Sequence, residues 1–116
     1  MINSIAFTAY PVKEIPRARA FYENVLGLKL DANFRDEWIE YDVGGATFAI
    51  TTMEMGRTPG APGAVTAFEV DNLEAEIARL KSHAVTFILE PVETPVCHLA
   101  VIADPDGNHL VVHKRK

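Results

Sequence analysis

A single cysteine, Cys97, in a chain of 116 residues excludes an internal disulfide. The fold must therefore rest on apolar burial, and a reducing, cytoplasmic setting is expected. Long apolar runs are absent, and nothing approaches the ~20 residues of a membrane helix. The first residues lack a basic stretch followed by an apolar one, so no secretory signal is expected. Positive charge is scarce: 11 Lys and Arg stand against 16 Asp and Glu, a formal net charge of −5. A polyanion needs a basic face, so neither nucleic acid nor a membrane is an expected partner. The one basic run, Lys114-Arg115-Lys116, reads as a solvated end. Low-complexity sequence is also missing.

What is present suits a globular domain. Apolar residues make up 48% and charged residues 23% of the chain, and the length fits one compact domain spanning 1–116. The glycine- and proline-rich stretch MEMGRTPGAPG from Met53 to Gly63 divides it. Module one covers 1–53, a hinge covers 54–63 and module two covers 64–116. Each module shows the same order of strand, helix and three strands, a repeat of pattern rather than identity.

In module one, Ser4 to Tyr10 alternates as a strand. IPRARAFYENVLGL, Ile15 to Leu28, reads as a helix over 16–26. It enters through Pro16, whose missing N–H costs nothing in a first turn, and stops at Gly27. Ala18, Phe21, Tyr22 and Val25 share one face at helical spacing. Strands are expected over 28–34, 38–43 and 46–52, the last two joined by Gly44-Gly45, a pair that fits a primed turn.

In module two, Ala64 to Val70 is a strand. Asp71 and Glu74 open a helix in capping-box spacing, and the helix runs to about His83 with Leu73, Ile77 and Leu80 buried. Val85 to Leu89 is a strand. Cys97 to Ala103 and His109 to His113 flank Asp104-Pro105-Asp106-Gly107-Asn108, a turn written in residues that each stabilise tight turns.

Strand alternation sorts the faces. Ile39, Tyr41 and Val43 should lie opposite Ile50, Phe48 and Ala46 beneath the helix. Trp38, Glu40 and Asp42 lie opposite Thr51, Ala49 and Thr47 on an amphipathic face suited to ligand binding. In module two, Leu110 and Val112 belong beneath the helix, and His109, Val111 and His113 face the other way. Val65, Ala67 and Glu69 share a face of their strand. For the strand from Cys97, either Cys97, Leu99 and Val101 or His98, Ala100 and Ile102 face the open side.

IPRARAFYENVLGL followed by DPDGN resembles the glyoxalase/bleomycin-resistance/dioxygenase, or vicinal oxygen chelate, superfamily. The resemblance covers nearly the whole chain. It implies an α+β fold, two βαβββ modules forming a curved mixed sheet around a cleft, and it favours Cys97, Leu99 and Val101 as the inward set. It also implies a homodimer, and the glycine-rich hinge would permit exchange of modules between chains.

Metal-using members hold a divalent ion on His and Glu from four strands, and the ion polarises two substrate oxygens. Counted back from Glu14, the acid before the first helix, the first position is Phe7. The second, on the strand after the Gly-Gly turn, is Ala49. Counted back from Asp71, the third is Val65, and counted on from Gly107, the fourth is Val111. None offers a ligand atom, so no metal or other cofactor is expected.

The expected ligand-binding residues are Phe7, Trp38, Glu40, Thr47, Ala49, Thr51, Val65, Glu69, Leu99, His109, Val111 and His113. Glu69 and His109 are the candidates for catalysis. A displaced metal site on His109 and His113, with Glu69 across the sheet, meets a geometric obstacle: at ~3.3 Å rise, residues four apart on a strand are about 13 Å apart. Trp38 reads equally as a stacking platform or as packing.

The expected function is bleomycin-resistance-like binding of a small molecule in the cleft, with Glu40, Asp42 and Glu69 suiting a cationic or polyhydroxylated ligand. The alternatives are a glyoxalase-type lyase or isomerase, or a dioxygenase, using a displaced metal or a metal-free acid–base site, and a non-catalytic subunit or regulatory module.

Overall fold

The computed structural model describes residue 1 and residues 3–116. The chain forms two compact units, Met1–Ala61 and Pro62–Lys116. Each holds one four-stranded mixed sheet with helical structure on one side, an α+β arrangement.

In the first unit the order is β1 (Thr8–Pro11), α1 (Ile15–Arg19) running into a π-helical turn (Ala20–Val25), β2 (Lys29–Phe34), β3 (Trp38–Val43) and β4 (Ala46–Thr51). The sheet order is β1-β4-β3-β2, and β1 runs parallel to β4. In the second unit the order is β5 (Thr66–Glu69), α2 (Leu73–Ser82), β6 (Thr86–Glu93), β7 (Cys97–Ala103) and β8 (His109–Arg115). Its sheet, β5-β8-β7-β6, repeats the topology, with β5 parallel to β8.

The Gly44-Gly45 turn sets the register of the first sheet. Both glycines have positive φ, 59° and 87°, the conformation of a type I′ turn, and Val43 stands opposite Ala46. Tyr41 then meets Phe48 and Ile39 meets Ile50. All four are buried, together with Ala18, Phe21 and Tyr22 of the helical segment. The Tyr22 ring lies 5.3 Å from Phe48 and 6.3 Å from Tyr41 between centroids. Side chains of this size each contribute roughly 1.5–3 kcal/mol through burial. The second core is smaller, with Ile77 and Leu80 of α2 buried along with Ala100, Ile102, Leu110 and Val112 of the sheet.

Several boundaries differ from expectation. Ser4 to Phe7 lie outside β1, whose pairing with β4 starts at Thr8 opposite Phe48 although β4 itself begins at Ala46. Ala64 and Val65 likewise precede β5, whose pairing starts at Thr66 opposite Leu110. The first helix is not a uniform α-helix. The Leu26 N–H reaches back to the Phe21 carbonyl at 2.9 Å, and the Leu28 N–H to that of Tyr22 at 2.9 Å. The first bond spans five residues and is π-type, and the second spans six and closes the segment around Gly27, whose φ is 73°. In the second helix the cap is Asn72 rather than Asp71, since Asn72 Oδ1 accepts from the Ala75 N–H at 3.0 Å. The box spacing is thereby lost. Strand β6 runs past Leu89 to Glu93 with two register shifts. Pro91 is tolerated there because β6 is an edge strand.

Candidate functional site

The helix-free sheet face of the first unit carries Trp38, Glu40 and Asp42 from β3, opposite Thr51, Ala49 and Thr47 from β4 and Phe34, Ala32 and Lys29 from β2. Phe7, in the segment before β1, stands edge-on to Trp38 with ring centroids 5.0 Å apart and planes at 88°. The indole Nε1–H donates to Glu40 Oε2 at 2.8 Å. Phe7, Trp38 and Glu40 therefore form one cluster, and Phe7 keeps 43% of its surface exposed.

Two expected lining residues are not available to a ligand here. Ala49 and Thr51 have no exposed surface. The Thr51 hydroxyl donates to the Glu37 carbonyl at 2.8 Å and accepts from the Met53 N–H at 2.9 Å, so it closes the loop after β4.

In the second unit Glu69 stands opposite His113, Ala67 opposite Val111, and Leu99 and Val101 opposite His113 and Val111. Ala100 and Ile102 are fully buried with Leu110 and Val112. Leu99 and Val101 thus share the helix-free face with Val111 and His113. Glu69 and His113 meet directly: Glu69 Oε1 lies 2.5 Å from His113 Nδ1, and Oε2 accepts from the Arg115 N–H at 2.8 Å. The backbone donor first, and His113 second, hold the Glu69 carboxyl below the usual carboxylate range. Val65, just before β5, is exposed at 51%.

The partner of Glu69 is thus His113, not His109. His109 opens β8 opposite Ala103, four residues away along the strand. Alternation puts Glu69, His109 and His113 on one side, and the parallel register of β5 and β8 selects His113. Sequence reasoning missed the Arg19–Glu23–Tyr41 network on the helical side. There Arg19 Nε donates to Glu23 Oε2 at 2.6 Å, and the Tyr41 hydroxyl donates to the same oxygen at 2.9 Å. Arg19 and Tyr41 lower the Glu23 pKa, while burial, and then Glu23, push the Tyr41 phenol well above its ordinary value. A groove of about 680 Å³ runs beside this network, lined in part by Lys13, Glu14 and Asp36. Arg19 and Glu23, which also line it, pair with one another.

The chain matches the model of the Glyoxalase/Bleomycin resistance protein/Dioxygenase superfamily over residues 4–112. It belongs to that superfamily. Solved structures with the same fold include TnmS3, an antibiotic-binding protein from Streptomyces sp. CB03234, at 23% identity and a TM-score of 0.85, covering 99% of this chain and 98% of that one. Another is a lactoylglutathione lyase from Agrobacterium tumefaciens, at 20% identity and a TM-score of 0.77, covering 98% and 95%. A third is a glyoxalase-family protein from Bacillus anthracis, at 18% identity and a TM-score of 0.81, covering 100% and 98%. At these identities the likeness establishes the fold. No curated protein matches the chain.

At the four positions that the resemblance assigns to it, the family's metal does not fit the residues present. Phe7, Ala49, Val65 and Val111 carry no nitrogen, oxygen or sulfur in their side chains, whereas such an ion needs imidazole or carboxylate donors. Among the described residues no three His, Cys, Asp or Glu side chains group as a metal-binding set. No described helix is long and apolar enough to cross a membrane.

Proposed function

We propose that this superfamily member binds and sequesters a small molecule on its helix-free sheet faces, in the manner of bleomycin-resistance proteins, without transforming it. The observation that carries the reading is the character of the four family positions, Phe7, Ala49, Val65 and Val111. All four are apolar, and Phe7 in the first unit and Val65 in the second are exposed at 43% and 51%. Apolar lining with a few placed polar groups is the pattern of a small-molecule site. Trp38, Glu40 and Thr47 supply those groups in the first unit, and Glu69, Leu99, His109 and His113 complete the set in the second. The likeness in fold to an antibiotic-binding protein supports the same reading.

The working form is a homodimer in a reducing, cytoplasmic compartment, with a small molecule as partner and neither nucleic acid nor membrane. Sedimentation at micromolar protein gives a dimer on this view, and a pure monomer contradicts it. The binding itself is tested by equilibrium dialysis against a broad panel of antibiotics and metabolites. Saturable binding of at least one compound, recovered unchanged, is the expected result, and binding of none counts against the proposal.

A second reading is favoured by the Glu69–His113 contact. A carboxylate on Nδ1 fixes an imidazole for proton transfer at Nε2, so a metal-free lyase or isomerase would place its base there. Turnover of a glutathione hemithioacetal or a catechol by metal-stripped protein, lost in His113→Gln, would replace sequestration with catalysis. The third possibility, a non-catalytic subunit or regulatory module, predicts a stable protein partner on pull-down from the native cell.

A further inference from the structure

The three acidic side chains on the helix-free faces differ in what they have left to offer. Glu69 uses both carboxylate oxygens, one toward His113 and one on the Arg115 N–H. Asp42 is exposed, and its Oδ1 accepts from the Gly45 N–H at 3.1 Å, bracing the turn. Glu40 differs from both. It is partly buried, its Oε2 is held by the Trp38 indole, and its Oε1 has no hydrogen-bond partner among the described residues. Beside the Trp38 indole and partly withdrawn from water, this carboxylate attracts a cation more strongly than the same group fully solvated.

The aromatic component sits at the same place. Trp38 is held at its N–H by Glu40 and meets Phe7 at 88°. Phe34, its register partner across the β2–β3 hairpin, is 55% exposed. That hairpin is fixed at its tip by Asn33: the Asp36 N–H donates to Asn33 Oδ1 at 2.9 Å, and Asn33 Nδ2 donates to Asp36 Oδ1 at 2.8 Å. Flat rings favour stacked or edge-on aromatic neighbours, and the negative face of an aromatic ring attracts positive charge.

We infer that the Phe7–Trp38–Glu40 corner is the recognition subsite of the first unit and that it selects a planar aromatic cation, the ring against Trp38 and the charge toward Glu40 Oε1. The assignment rests on the ligand-binding reading and narrows it: of the cationic and polyhydroxylated classes, it chooses the cationic one and requires a flat ring. It also makes Glu40, rather than Glu69 or Asp42, the residue that sets ligand charge.

The test uses the full chain and three probes: proflavine as a planar cation, acridone as an uncharged ring of the same shape, and choline as a cation without a ring. Equilibrium dialysis reads affinity, and the emission of Trp38, the only tryptophan, reports proximity. Circular dichroism confirms that each variant is folded. Proflavine is expected to bind saturably and quench Trp38, and to bind at least about tenfold more tightly than either other probe. Glu40→Gln should weaken proflavine about tenfold and leave acridone unchanged. Trp38→Phe should weaken it less, and Glu74→Gln, which removes one charge from the exposed start of α2, should change nothing. Equal proflavine affinity in the parent and Glu40→Gln overturns the assignment while ligand binding stands. So does equal loss in Glu40→Gln and Glu74→Gln, which marks a general charge effect. No binding of proflavine also overturns it, and the broad panel then decides the ligand-binding reading separately.

Discussion

Glu69 Oε1 lies 2.5 Å from His113 Nδ1, although the two residues come from strands separated by a helix and two further strands. The contact exists because β5 runs parallel to β8 in a register that sets Glu69 beside His113. The Arg115 N–H, donating to Oε2 at 2.8 Å, completes the anchoring of the last strand.

This anchor makes stability depend on pH. The folded Glu69 carboxyl titrates below its unfolded value, with the Arg115 N–H as the first cause and His113 as the second. The unfolded chain therefore binds more protons in this range, and stability falls as pH is lowered. The contribution is complete above the unfolded glutamate value of about 4.3 and is lost as pH falls through the folded one. Glu69→Gln should lower stability at neutral pH and flatten its dependence on pH in the acidic range. Urea unfolding across acidic and neutral pH checks this, and an unchanged slope would contradict it.

The DPDGN turn makes a second prediction. Asp104 is buried, its Oδ1 accepts from the Asp106 and Asn108 N–H groups, both at 2.9 Å, and Oδ2 accepts from Asn108 Nδ2 at 2.8 Å. Asp104→Ala would leave donors of the buried Asn108 without these acceptors. A charged acceptor bond contributes roughly 1.5–3 kcal/mol, and an orphaned buried donor costs about 1–3. A loss of about 3 kcal/mol is expected in denaturant titration, against well under 1 kcal/mol for Asp71→Ala, an exposed side chain outside the helix cap.

A gain of stability is expected at Ala84. The Val85 N–H reaches the Leu80 carbonyl at 3.2 Å and the Ala84 N–H that of Lys81 at 3.0 Å, closing α2 with a Schellman motif. The motif needs a left-handed residue, and Ala84 holds φ at 56°. Alanine is strained there where glycine is not. Ala84→Gly should stabilise by about 0.5–1 kcal/mol after the added flexibility of the unfolded chain is subtracted. Thermal melting should show a rise of roughly 3–4 °C.

Much of the fold is legible in local chemistry. Pro16 and Gly27 bound the first helical segment, paired glycines determine a primed turn, and alternation sorts Ile39, Tyr41, Phe48 and Ile50 to the buried side. These features depend on residues near one another in the chain, and local sterics and spacing specify them. The strand ends are less legible. Phe7 and Val65 look like strand residues, yet pairing begins one residue after each, at Thr8 and Thr66. Pro91 looks like a terminator, yet it is accommodated at an edge.

The sequence by itself determined what each side of the sheets is made of, because residue type and period suffice for that. Only the tertiary structure decided the partners. His113 rather than His109 meets Glu69, because parallel register selects one rung of β8. Glu40 keeps an oxygen with no hydrogen-bond partner among the described residues, while Asp42 accepts from the Gly45 N–H and Glu69 from the Arg115 N–H. Thr51 is spent on a loop closure that no pattern announces. A polar side chain's remaining capacity depends on which groups three-dimensional packing brings within hydrogen-bond reach, and residue order leaves that open.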